Sequence, residues 1–310
     1  MTQHRHQTAS ASTCTVGAIV GRYICENLFG KRLRFIRLLL YHNTTITKLG
    51  YVAKLNMTSS YPRALLQRRP PSTSYMECIR SIWHLHDETI NIWTHLIAFA
   101  VFFAVGVSVS TRRRRKRTDE TCANNLYFPA AALVFLCSTL YHTFTNHDNA
   151  MFWRCLDHCS ITTFIWASSR SFTLLAYGSK RNTPQLYTAV LSAGAVSLVV
   201  WNLYDLTVWN ESRRIGDMSH AVYGAFAALP AINRPSSLKW RAARARKSLL
   251  GSFQALVWVS TLGALLYTTR LIEWMTEERW GGIGHHAMHM AVVVGACAYG
   301  REVLCSDLVG

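Results

Sequence analysis

The chain has 310 residues, 50% of them hydrophobic and 16% charged, with 33 Lys and Arg against 16 Asp and Glu and a formal charge of +17. Soluble domains carry about 25% charged residues, so this composition excludes an ordinary water-soluble globule and points to a membrane. In that setting the basic excess reads as affinity for phospholipid, and no nucleic-acid partner is expected.

In chain order, residues 1–75 contain one acidic residue, Glu26, and no long apolar run. Within this basic tail, LFGKRLRFIRLLLYH can form an amphipathic helix on an anionic lipid surface; a flexible extension and an organelle transit peptide are the alternatives. Residues 76–310 are expected to form a separate membrane domain. Seven apolar stretches follow there, at 89–110, 126–145, 152–176, 187–209, 217–233, 248–272 and 283–305. A hydrocarbon core of about 30 Å takes roughly 20 helical residues. The expected fold class is therefore an all-α membrane protein, a seven-transmembrane helix bundle. The loops TRRRRKR and RPSSLKWRAARARK hold twelve of the 33 basic residues. The fifth stretch is short, rich in Ala and Gly, and carries Pro230, which a membrane helix tolerates when neighbours satisfy the carbonyl it frees. Nine cysteines do not form a disulfide framework, and Cys137, Cys155, Cys159 and Cys297 fall in or beside the stretches, where Cys packs as a small hydrophobe.

Ionisable groups inside spans are costly and mark function by default. Counting spans by parity puts Glu88, Asn91 and His95 at the start of the first, Ser138 and His142 at the end of the second, and Asp157 at the start of the third. Asp217 and His220 start the fifth, and His285 and His289 start the seventh. All of these fall on one side of the bundle. The segment IGHHAMHMAVVVGACAYG, residues 283–300, carries its histidines for this reason: His285 and His289 are one helical turn apart on one face, while His286 points away as a capping or interfacial residue. Taken singly, His95 and His220 read as satisfied interfacial polar residues. His142, His285 and His289 together read as a zinc site, because three imidazoles and one open position make the arrangement of catalytic zinc. Asp157 is expected beside them, orienting or deprotonating a zinc-bound water, with Ser138 bonding the same water or a substrate oxygen.

These segments resemble the PAQR family, the progestin and adipoQ receptors related to hemolysin III. SIWHLHDETINIWTHLIAF (81–99) is similar to the entry into its first helix, CSTLYHTF (137–144) to the second-helix motif, LDHCSI (156–161) to the third and GHHAMH (284–289) to the seventh. The resemblance covers roughly residues 68–305. It implies a bundle of the adiponectin receptor type, with a buried Zn2+ held by His142, His285 and His289 and Asp157 bonded to the zinc-bound water. It also implies a multi-pass protein of the plasma membrane or an endomembrane whose N-terminus and zinc site are cytosolic, although the distribution of loop Lys and Arg favours the opposite side. Glu88 and Asn91 are implied to be structural. The sequence departs from the family pattern at Arg170, where a small residue is usual, at His158 in place of Tyr, and at Gly284 in place of Ser.

In adiponectin receptors such a site is associated with ceramide hydrolysis, and fungal relatives are linked to zinc and lipid homeostasis. The function expected is thus zinc-dependent hydrolysis of a lipid amide, ceramidase-like, with zinc-bound water as nucleophile and membrane lipids, a ceramide-like substrate or free fatty acid as partners. A seven-helix receptor with a structural zinc is the alternative, and a transporter or pore is a third reading.

Overall fold

A computed structural model describes residues 68–112, 119–178, 182–208, 213–232, 243–275 and 282–308. The surface helix expected in the tail, and most of the two basic loops, lie outside the described residues. In order, the helices are α1 (Tyr75–Ser81), α2 (Thr89–Arg112), α3 (Asp119–Thr143), α4 (Ala150–Tyr177) and α5 (Asn182–Val208). They continue as α6 (Arg213–Ala227), α7 (Leu229–Ile232), α8 (Ala243–Thr269), α9 (Leu271–Met275) and α10 (Ile283–Leu308). There is no named β-strand among the described residues. Each of the seven expected stretches falls on a helix or, for the fifth, on the α6–α7 pair. Four helical segments, Thr89–Thr111, Asp119–Thr143, Gln185–Leu206 and Lys247–Thr269, are long and apolar enough to cross a membrane by length and composition.

The protein is an all-α membrane protein, and its polarity is arranged accordingly. Outward-facing Ile97, Val101 and Phe103 on α2, Leu186 and Val190 on α5, and Trp258 and Leu262 on α8 are exposed. The inward face of α4, by contrast, buries Asp157, Ser160, Thr162, Ser169, Ser171 and Thr173. With lipid outside, polar groups find partners only among neighbouring helices. That is why α4, which packs against α3, α5 and α6, is less apolar than its length suggests.

Between α2, α3, α4, α8 and α10 lies a core built on Phe102, Tyr127, Phe135, Phe164, Phe253 and Tyr299. Its two fully buried tyrosines are satisfied: the Tyr127 hydroxyl donates to the Ala296 carbonyl (2.7 Å), and that of Tyr299 pairs with Ser171 (2.8 Å). Helices α8 and α10 approach closely at two glycines. A Cβ on Gly263 would stand 2.9 Å from the Ala291 side chain, and one on Gly295 would stand 3.1 Å from the Leu256 backbone. Small residues at such contacts let membrane helices gain the packing that lipid exclusion alone does not supply.

Two boundaries differ from those read in the sequence. Helix α3 starts at Asp119, seven residues before the expected 126, because Asp119 and Glu120 complement the positive helix N-terminus even though they are not apolar. The fifth stretch breaks at Ala228. Pro230 has no N–H for the Phe226 carbonyl, and Tyr187 donates there (3.3 Å) and to the Ala227 carbonyl (3.1 Å), which also accepts from Ser169 (2.7 Å). The freed carbonyls are thus met by α4 and α5.

Candidate metal centre

The segment before α2 is laced onto the turn between α3 and α4. Ser74 caps α1 by accepting from the Glu77 amide (3.4 Å), the Ser72 amide donates to Asn146 (2.9 Å), and Tyr75 stacks on His147 at 3.8 Å. Arg69 is the centre of this attachment. One of its terminal nitrogens donates to Ser81 (2.8 Å) and the Thr143 carbonyl (2.9 Å), and the other donates to Thr145 (2.9 Å) and the His142 carbonyl. A cation on the last carbonyls of α3 satisfies acceptors that the helix leaves open and opposes its negative end. Burial lowers the Arg69 pKa, and the nearby Glu88 and Asp87 charges act against that shift.

His142, thus anchored through its backbone, is also oriented through its ring. Its Nδ1 lies 2.8 Å from Glu88 Oε2, which accepts a second bond from Asn91 Nδ2 at 2.7 Å. A carboxylate only accepts, so Nδ1 carries the proton and Nε2 is left with a free lone pair. Burial pushes the Glu88 carboxyl up, but the His142 bond and charge, the Asn91 bond and His285 outweigh it and bring it down to about 2. Two residues earlier, burial and then the Arg69 charge bring His86 down from 6.5 to about 4, while its Nδ1 accepts from the Glu88 amide at 3.1 Å.

A pH dependence follows from that pair. Between pH 6.5 and about 4 the unfolded chain takes up a proton at His86 that the folded chain refuses. Its contribution to stability is complete above 6.5 and is lost as the pH falls through about 4, whereas the Glu88 contribution fades only below its ordinary value of 4.5. The melting temperature in detergent is expected to drop by several degrees across the upper window, and His86→Asn, which keeps the acceptor, should flatten it. An unchanged wild-type profile there would contradict this account.

The seventh expected stretch delivers the other two imidazoles. Gly282, at φ 82°, receives the His285 and His286 amides and starts α10. Helix α8 ends at Arg270, whose φ of 52° turns the chain so that Glu273 on α9 accepts from the Gly284 amide at 2.9 Å. A Cβ on Gly284 would lie 2.9 Å and 3.0 Å from the Glu273 carboxylate oxygens and 3.0 Å from the Leu266 carbonyl. Glycine in place of serine therefore belongs to this cap. Gly284→Ser should lower the melting temperature and weaken metal retention together, and a variant as stable as wild type would show that the cap yields freely.

His285 and His289 then present their Nε2 atoms 3.0 Å apart. The His142 ring stands 5.0 Å from that of His285 and 4.6 Å from that of His289, and one ligand atom from each of the three lies within 4.8 Å of the others. Two nitrogens on one tetrahedral ion at about 2.0–2.1 Å sit roughly 3.3 Å apart, so the donor set and spacing suit a metal ion after a small closing of His142. Among the described residues this is the one such group. Asp157 is buried, interacts electrostatically with His142, and has an Oδ1 without a hydrogen-bond partner. Ser138 is buried one turn before His142 on α3.

Other residues of the expected set fall elsewhere. His220 Nε2 lies 3.1 Å from Thr162 and 3.0 Å from the His158 carbonyl, docking α6 onto α4 rather than joining the three histidines. Asp217 is on α6, with its side chain outside the described residues. His286 bonds the Asp87 carbonyl (3.0 Å), tying α10 to the start of α2. Arg170 is half-buried and donates to Thr188 on α5 at 3.1 Å. Arg69 and Glu273 had no signal in the sequence, since an arginine before two prolines and a glutamate in a loop are ordinary.

A polytopic helical membrane protein with three convergent histidines at one end of the bundle is the class that fold and site define. A family model described as "Haemolysin-III related" matches residues 83–299, and the chain belongs to that family, which includes the progestin and adipoQ receptors. It is 28% identical over 238 residues to "Adiponectin receptor protein" of Drosophila melanogaster, covering 74% of this chain and 52% of that one. It is 30% identical over 245 residues to "Progestin and adipoQ receptor-like protein 1" of Caenorhabditis elegans, covering 74% and 54%. To "ADIPOR-like receptor IZH1" of Eremothecium gossypii it is 25% identical over 245 residues, covering 75% and 76%. The chain thus spans about half the length of the first two relatives.

Proposed function

We propose that this protein is a zinc-dependent hydrolase of a lipid amide, ceramide-like in class, with its N-terminus and metal cluster on the cytosolic side. His142, His285 and His289 hold the zinc. The ion, when bound, polarises an acyl carbonyl and lowers the pKa of bound water to about 7. Asp157 accepts the proton of the attacking water at its unpartnered Oδ1 and returns it to the leaving nitrogen. Ser138, on the His142 face of α3, orients the water or the substrate oxygen. Glu88 keeps His142 in the tautomer whose Nε2 faces the cluster. The acyl and sphingoid chains lie between helices, with the amide at the cytosolic end.

The observation carrying this reading is a buried carboxylate with an unpartnered oxygen within electrostatic reach of His142, one of three convergent imidazoles. A structural site needs no such base. The three relatives, each named a receptor, favour a second reading, in which the metal staples α3 to α10 and ligand binding shifts the bundle. Purified protein assayed for zinc content and for fatty acid released from ceramides separates the two. Under the hydrolase reading, His142→Ala loses metal and turnover, while Asp157→Asn keeps the metal and loses at least about 100-fold in rate. Zinc-loaded wild type that releases no fatty acid across pH and chain length would leave the receptor reading standing.

A further inference from the structure

A fourth imidazole touches the cluster without belonging to it. His95, on α2, is 5% exposed, and its ring lies 4.0 Å from that of His289 and 5.0 Å, edge to face, from Phe135. Neither of its ring nitrogens has a well-formed hydrogen bond, the His289 backbone offering only a weak approach. One turn earlier on the same helix, Asn91 Oδ1 is equally unpartnered, as is His289 Nδ1 across the contact. The neighbouring buried histidines are served differently: His142 has Glu88, His286 has Asp87, and His285 and His289 face one another.

Leaving a buried donor unpaired is destabilising, and a phenylalanine or leucine at this position would avoid the cost. His95 is also outside the group whose ligand atoms lie within 4.8 Å of one another, so its geometry is not that of a fourth metal ligand. Closing the coordination with a fourth histidine would moreover remove the open position that ligand exchange requires.

We propose that His95 is a ligand-binding residue of this centre: its ring N–H donates to the acyl oxygen, an amide carbonyl or a carboxylate, of a lipid held at the three histidines. The inference rests on the reading of His142, His285 and His289 as a metal site but not on turnover. It specifies acyl compounds as the class recognised. An imidazole packed at a tilt against a ligand histidine fixes where that oxygen lies, between α2 and α10, and the acyl chain then runs along the apolar surface of α2 and α10.

The test uses full-length protein loaded with cobalt and titrated with octanohydroxamic acid, an acyl chelator, while the visible spectrum of the metal is followed. Wild type, His95→Gln, His95→Phe and His95→Leu are compared, with metal content and melting temperature measured for each. All four are expected to hold the same amount of cobalt. Hydroxamate affinity should fall about tenfold in the Phe and Leu variants, the effect of one lost hydrogen bond in a dry site, and stay within about threefold of wild type in the Gln variant. Wild-type affinity in a folded Phe or Leu variant would make His95 a packing residue and overturn the proposal. Loss of cobalt from such a variant with its melting temperature intact would make it a metal ligand, and a Gln variant as weak as Phe would assign the effect to ring shape. Wild type that takes up no cobalt would overturn the metal reading itself, and is read before any variant is compared.

Discussion

His142→Ala is expected to weaken metal binding at least about 100-fold, since a three-imidazole site reduced to two loses both a donor and its geometry. Glu88→Gln should weaken it about 10- to 100-fold without removing any ligand atom. The difference between them is physical. His142 supplies the only donor from α3, and without it His285 and His289 offer two nitrogens on one helix face. Glu88 supplies charge and orientation: it accepts the His142 Nδ1 proton at 2.8 Å, raising the basicity of the opposite nitrogen, and it is the carboxylate bonded directly to a cluster histidine. A glutamine amide oxygen still accepts that proton but brings no negative charge to offset a divalent ion in low dielectric. Metal analysis after dialysis against graded chelator measures both variants. Equal retention by wild type and Glu88→Gln would show that orientation, not charge, is what Glu88 contributes, and undiminished metal in His142→Ala would remove α3 from the site.

Arg69→Ala is expected to destabilise the bundle by about 2–4 kcal/mol, the largest effect of any residue before α1 among those described. The guanidinium holds four oxygens at once, two of them the terminal carbonyls of α3; its removal strips that donor from the Thr143 carbonyl and leaves the His142 carbonyl only the Thr145 hydroxyl at 3.2 Å. Arg69→Lys should recover only a minority of the loss, because an ammonium cannot reproduce the flat fork that reaches Ser81 and Thr145 from one position. Since one of the four acceptors is the His142 carbonyl, the end of α3 should fray with it, and metal retention should fall in step with melting temperature. Thermal unfolding in detergent, with and without added zinc, reads both. An Arg69→Ala protein as stable as wild type would show that water replaces the guanidinium at no cost.

Much of the architecture is one-dimensional information. Low-charge stretches of span length mark the long helices among the described residues, because a membrane-spanning backbone must satisfy its own hydrogen bonds and this fixes how many residues a span requires. Parity and the four-residue spacing on α10 put His142, His285 and His289 at one end of the bundle, and the structure brings their ligand atoms within 4.8 Å of one another. Polarity misled at the edges. Helix α3 begins with charged residues that apolar counting discards, and the fifth stretch is two helices because Pro230 and its neighbours exchange backbone partners for Ser169 and Tyr187. His220 satisfied the same parity rule as the cluster and yet faces α4, since parity gives an end of the bundle and not a direction around it.

The amino-acid order by itself determined the class of protein, the approximate positions of its helices and which histidines share an end of the bundle, because these depend on local composition and on the order of spans along the chain. Tertiary structure alone decided that Glu88 grips His142, that Arg69 closes the end of α3, that Glu273 claims the space a side chain on Gly284 would fill, and that His95 lies against His289. Those pairs join residues from 11 to 194 positions apart in the chain through bonds about 3 Å long or ring contacts about 4 Å long. At that range the outcome depends on how closely helices approach and which rotamers they leave open, and neither is fixed until the bundle has packed.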